Sequence, residues 1–176
     1  MLGQKGNQPS ESTKNTQTSD EYTAGTKILF HTSMGNITIQ LRNDMPITTA
    51  NFKNLVQQGK YNGTIFHRVI DGFMIQGGDP TGTGYGDSSI PEIKDEFTSK
   101  NRNERGTIAM ANAGPNTGSS QFFINIVNNN YLDTKHPQFG KVIFGMEVVD
   151  AIAKVSTDHR DKPVKAVSII NASILQ

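Results

Sequence analysis

Neither cysteine nor tryptophan occurs among the 176 residues. The missing cysteines exclude disulfides and thiolate chemistry and fit a reducing, cytoplasmic setting. An excess of one charge sign is missing too: 17 Lys and Arg face 16 Asp and Glu, for a net charge of +1. No electrostatic footprint therefore calls for nucleic acid or an anionic membrane. No apolar run approaches the ~20 residues needed to span a bilayer, and the N-terminus lacks the apolar stretch of a secretory signal. Hydrophobic residues are scarce at 34%, and the scarcity is concentrated in residues 1–26. That segment is built of Gly, Gln, Asn, Ser and Thr and is near neutral. It cannot bury enough apolar surface to offset its ordering entropy, so a disordered tail is expected over 1–26 and one domain over 27–176.

Several familiar chemistries are also missing. "GDPTGTGYG" has glycines at 82, 84 and 86, the wrong spacing for a dinucleotide loop. Neither Gly59-Lys60 nor Gly140-Lys141 continues into the Ser or Thr of a P-loop. His31, His67, His136 and His159 show no metal-ligand spacing. No nucleophile elbow surrounds Ser119 or Ser120, which leaves a triad with His136 and Asp133 unsupported. Three glycosylation sequons, at Asn36, Asn62 and Asn171, read as chance matches in a chain rich in Asn and Thr.

What is present is a run of short strands. "KILFHTSMGNITIQL" alternates around Met34-Gly35-Asn36 as a hairpin does. "MPITTANFKNLVQQGKY" shifts to helical period, with Pro46 in the first turn, Ile47, Ala50, Leu55 and Val56 at helical spacing, and Gly59 past the end. Strands follow near 64–69 and 73–77, then within "GTIAMANA", "SQFFINIV", "KVIFG" and "AVSIINASIL". "MEVVDAIAKV" gives a second helix, with Val148, Val149, Ile152 and Val155 on one face. Many strands, Gly-rich turns and two helices indicate an all-β sandwich or barrel. One stretch resists that simple reading. "FHRVIDGFMIQGGD" alternates like a half-buried strand, yet sets Arg68 and Gln76 among apolar neighbours with no nucleophile nearby.

Three blocks in order, "FHRVIDGFMIQGGD", "MANAGPNTGSSQFFI" and "YLDTKHPQFGKVIFGM", resemble the cyclophilins, a family of peptidyl-prolyl cis–trans isomerases. The resemblance runs from about Lys27 to about Leu175. It implies a closed antiparallel β-barrel of about eight strands capped by two α-helices. It also implies rotation about X–Pro bonds, a reaction in which no bond breaks and no nucleophile or cofactor is needed. By similarity, Arg68 addresses the prolyl nitrogen, and its guanidinium suits this because it stays charged and presents donors in a fixed fork. Phe73, Met74, Phe123 and Leu132 match the pocket for the proline ring, and His136 its flank. Gln76 and Gln121 match side chains that hold Arg68 and the substrate backbone. Ala111 and Asn112 match a strand edge for an extended peptide. Gly82 matches a glycine lining a second subsite.

The implied partners are proline-containing peptides and client proteins whose folding the isomerase assists, with the chain acting as a monomer. Two departures stand out. Tyr131 occupies a groove position where many members carry tryptophan, so cyclosporin binding is expected to be weakened. The connection from Gly84 to Phe97 is shorter than in many members, which bears on substrate preference. A different class of function uses the same groove: an interaction module that holds proline peptides with little turnover. The intact Arg68, Phe73 and His136 favour the enzyme.

Overall fold

The computed structural model describes residues 21–176. Eight strands form one antiparallel sheet: β1 (Lys27–Thr32), β2 (Gly35–Leu41), β3 (Arg68–Ile70), β4 (Met74–Gly77), β5 (Thr107–Met110), β6 (Phe122–Asn125), β7 (Gln138–Phe144) and β8 (Ile169–Leu175). The strand order is β3-β4-β6-β5-β7-β2-β1-β8. Two helices, α1 (Pro46–Gln57) and α2 (Met146–Ala153), complete the architecture with a short 3₁₀ turn at Asn130–Leu132.

The mainly-β fold, strand number and helix pair agree with expectation, but the closed barrel is corrected. The sheet is an open half-barrel with β3 and β8 as its edges. Near the gap, Gly63 and Phe66 donate to the Ile169 and Val167 carbonyls, around the single bridge Ile65–Ser168. No ladder forms between the edges. Instead the edge strand β3, only three residues long, gives its Val69 amide to the Asp161 carbonyl of a neighbouring loop at 2.7 Å. Covering an edge with a loop is a common alternative to pairing it.

Period-two alternation divides the sheet into two faces. Ile75, Ile108, Met110, Phe122 and Ile124 point into the main core with Phe30, Phe52, Tyr61, Phe66 and Phe139. Their rings meet at 4.9–6.4 Å, mostly tilted or edge-on as ring quadrupoles prefer. The alternate residues of the same strands, Met74, Ala109 and Phe123, form a separate small cluster on the opposite face.

Helix α1 starts at Pro46 as expected, but it has no cap of its own. Glu96 reaches in from the distant 84–97 connection and accepts hydrogen bonds from the Ile47 and Thr48 amides at 3.0 and 2.7 Å. A carboxylate there satisfies orphan donors and suits the positive end of the helix. The buried face is Thr48, Thr49, Phe52, Leu55 and Val56, whereas Ile47 and Ala50 are exposed, against the sequence reading. In α2, Val149 and Ile152 are buried, with Val148 and Val155 packed at the margin. Gly145 precedes it at φ 88°, and an added Cβ would collide with the Asn36 carbonyl, so only glycine fits.

The expected tail boundary also moves. Residues 1–20 lie outside the described residues, but 21–26 pack on the domain. Tyr22 is buried, with its hydroxyl accepting from Gln138 Nε2 at 2.7 Å and Lys141 Nζ 3.9 Å from the ring centre. One aromatic with two anchors offsets the ordering cost that polar composition alone predicts.

Candidate active site

The small outer cluster is the floor of a groove. Arg68, Phe73, Met74, Gln76, Ala111, Asn112, Phe123, Leu132 and His136 line one cavity of about 290 Å³. Nine of the twelve residues singled out by sequence thus converge at one place. They come from β3, the turn after it, β4, β6, the segment after β5, the 3₁₀ turn and the stretch between that turn and β7. Register explains the convergence: Arg68 lies opposite Gln76, and Gln76 opposite Phe123, on three adjacent strands.

The cavity pairs one charge with an apolar floor. Met74 and Phe123 are almost wholly buried, while the Arg68 side chain keeps 47% of its surface exposed. Its nearest carboxylate is Asp161, 4.0 Å from Nε, a loose contact that leaves the fork available. Gln76 does not bind Arg68 through its side-chain amide as expected. It donates to Gln121 Oε1 at 3.0 Å, and Gln121 Nε2 donates to the Gly84 carbonyl at 3.0 Å. The two glutamines therefore tie β4 to the glycine loop, and Arg68 is positioned by strand register instead.

His136 stands edge-on to Phe123, ring centres 5.3 Å apart. Its Nδ1 lies 2.9 Å from the Met110 carbonyl. A carbonyl only accepts, so Nδ1 carries the proton and the tautomer is set. The His136 carbonyl in turn accepts from the amides of Asn101 and Asn103, each at 3.1 Å. Asn129 donates to the Phe73 carbonyl at 3.0 Å and to Asn125 Oδ1 at 2.9 Å. This buried asparagine network holds both walls, and sequence reading missed it. The only available sign was four asparagines, three in otherwise unremarkable loops and one closing β6.

The three remaining residues lie around the cavity. Tyr131 stacks on Phe73 at 6.4 Å and 19°, itself largely exposed. Gln121 lines a second groove of about 600 Å³, shared with Gln76, Ala111 and Asn112. Gly82, matched by resemblance to a glycine of a second subsite, lines a third hollow beside Arg68, while Gly84 and Gly86 line the second groove. The Ala111 amide is already given to the Gln121 carbonyl at 3.0 Å.

Asp79 is the second missed residue. Its buried carboxylate accepts from the Thr81, Gly84 and Gly86 amides at 2.8, 2.7 and 3.1 Å, and from the Thr81 hydroxyl at 2.8 Å. Burial pushes this carboxyl upward, but the hydrogen bonds from Thr81, Gly86 and Gly84 outweigh it and hold it below its ordinary range. An acid just before alternating glycines was the legible sign. His67, under the same loop, is pushed down, chiefly by burial.

The fold is a half-barrel of eight antiparallel strands with an arginine over an apolar hollow on its outer face. The family model described as "Cyclophilin type peptidyl-prolyl cis-trans isomerase/CLD" matches residues 27–174. The chain belongs to that family, and it is an isomerase of the cyclophilin type. A curated relative, peptidyl-prolyl cis-trans isomerase-like 1 of Aspergillus fumigatus, is 46% identical over 155 residues, covering 86% of this chain and 96% of the relative. Mouse peptidylprolyl isomerase domain and WD repeat-containing protein 1 is 52% identical, over 83% of this chain but only 23% of that longer protein. Among solved structures, a cyclophilin of Cryptosporidium parvum superposes with TM-score 0.82 at 34% identity, covering 86% of this chain and 98% of its own. The same protein in the presence of the dipeptide Ala-Pro gives 0.81 at 35%, covering 85% and 99%.

Proposed function

We propose that the Arg68 groove turns X–Pro bonds in peptides and client proteins by gripping the proline ring and stabilising the twisted amide. Amide resonance resists rotation by about 18–20 kcal/mol. At X–Pro the two isomers lie within ~1 kcal/mol, yet they exchange over tens of seconds or longer. A catalyst has only to favour the twisted state. The Phe73–Met74–Phe123–Leu132 side chains offer an apolar wall in a cavity with room for a proline ring. Above it, the Arg68 guanidinium donates to the prolyl nitrogen as its lone pair leaves conjugation. That hydrogen bond strengthens as rotation proceeds and is weak in the planar ground state, which is differential transition-state binding. His136 flanks the ring, Ala111 and Asn112 meet the peptide backbone, and the Gln76–Gln121 pair steadies the loop beside it. Folding steps limited by proline are the steps such an activity accelerates. The observation that carries this reading is the 290 Å³ cavity in which one half-exposed guanidinium lies beside four apolar side chains.

Exchange spectroscopy on a short Ala-Pro peptide tests it. Catalytic amounts of the protein accelerate cis–trans exchange, and Arg68→Ala loses most of that acceleration. Equal rates for the two proteins would remove Arg68 from the mechanism.

A further inference from the structure

Past Arg68 and Gln76 the proline cavity adjoins a hollow of about 560 Å³ for which bond rotation has no use. Its walls are His67, Arg68, Gln76, Arg160 and Lys162, closed by the loop 82–85. Three of these side chains are cations, and among the described residues no carboxylate lines the hollow. The acids beside it are Asp161, at 4.0 Å from Arg68, and Asp79 behind the loop, whose carboxylate is taken up by the Thr81, Gly84 and Gly86 amides.

The cations are held there by a built turn. Asp158 Oδ1 accepts from the Arg160 and Lys162 amides at 2.8 and 3.1 Å, and the Asp158 amide donates to the Lys162 carbonyl at 2.8 Å. Asp161 takes a left-handed backbone, φ 62°, and its carbonyl receives the Val69 amide beside Arg68. A non-glycine residue in that region is uncommon and costs conformational energy. The turn thus brings two positive side chains toward a third, with the Asp158 and Asp161 carboxylates of the same turn as counter-charges outside the lining of the hollow. The larger groove on the other side of Gln76 is the electrostatic opposite, with Asp87 and Glu92 in its wall and no cation.

We propose that this hollow is an anion subsite of the isomerase, taking a carboxylate or phosphate carried by a substrate residue near the turning proline. The proposal rests on the Arg68 cavity being the proline site. Continuity through Arg68 and Gln76 makes a group on the same peptide the natural occupant, and the acidic groove repels that group from the opposite direction.

The test measures kcat/KM by exchange spectroscopy for a neutral proline peptide and matched peptides. The matched set carries glutamate or phosphoserine one or two residues to either side of the proline. The wild type prefers at least one anionic placement by roughly fivefold at low salt, as expected for one charge meeting exposed cations. The preference shrinks as salt rises. In the double variant Arg160→Gln/Lys162→Gln the ratio of anionic to neutral peptide falls to about one. Both side chains are exposed, and glutamine preserves the amides that Asp158 binds. A preference for phosphoserine alone assigns the subsite to phosphate, and an equal one for glutamate assigns it to anions generally. No preference at any placement, or a preference undiminished in the double variant, overturns the proposal. If the wild type fails to accelerate even the neutral peptide, the proline-site reading is what has failed, and the subsite falls with it.

Discussion

Replacing Asp79 by alanine should loosen the glycine loop and with it one side of the groove. The carboxylate receives three backbone amides and the Thr81 hydroxyl. A hydrogen bond to a charged group contributes about 1.5–3 kcal/mol. The loop is exposed at Thr81, Thr83, Gly84 and Tyr85, so water replaces part of each lost bond. Taking about 1 kcal/mol per amide leaves a net cost of about 3 kcal/mol. For a domain of this size that is a fall in Tm of about 6–12 °C. The activity should suffer through Gly84. Its carbonyl anchors Gln121, which anchors Gln76 directly opposite Arg68. Calorimetry gives the first quantity and exchange kinetics at a temperature where the variant is folded give the second. The expected kcat/KM loss is roughly tenfold, mostly in KM, since the loop shapes the peptide site and does not touch the rotating bond. A Tm within about 2 °C of wild type would refute the weight given to Asp79. A large Tm loss with unchanged kcat/KM would break the proposed link through the glutamines.

Further outcomes follow from single contacts. Asn129→Ala strips partners from the Phe73 carbonyl and Asn125 Oδ1, which costs about 2–3 kcal/mol and raises KM, as denaturant titration and kinetics would show. His67 is held below 6.5 mainly by burial, with Lys162 and Arg68 adding to the push and Asp79 opposing it. A depressed histidine stabilises the fold fully above its unfolded pKa and loses that contribution as pH falls through the folded value. Tm should therefore drop between pH 7 and pH 5, and less so in His67→Gln; a flat profile would contradict this. Tyr131→Trp enlarges the exposed ring stacked on Phe73 and should tighten cyclosporin binding roughly tenfold by calorimetric titration. Equal affinities would dismiss Tyr131 as the weak point.

The elements were legible because periodicity reports burial directly. Pro46 opens α1, Gly145 precedes α2, and the alternation in "FMIQGG" is the alternation of the two faces of β4. Alternation does not say which face meets the core, however, and Met74 and Phe123 could equally have been interior. Neighbouring strands decide that, and no single strand contains the information. The open edge was hidden for the same reason. Closure depends on how β3 meets β8, residues about a hundred apart in sequence, and on Asp161 claiming the Val69 amide first. Ile47 misled because hydrophobic residues are often exposed singly. Glu96 and the asparagines left little local pattern because they act on groups of remote segments, whereas Asp79 acts on the loop just after it and was passed over despite the alternating glycines that follow. Tyr22 was outweighed by the polar residues around it.

The central claim is that Arg68 acts on the transition state more than on the bound peptide. Measuring both quantities on Arg68→Ala tests it most directly: affinity for a proline peptide by titration, and catalysed exchange of the same peptide by magnetisation transfer. An interaction made only in the twisted state predicts affinity within about threefold of wild type and exchange slowed roughly a hundredfold or more. Loss of affinity and of exchange in equal proportion would make Arg68 a binding residue only and contradict the account.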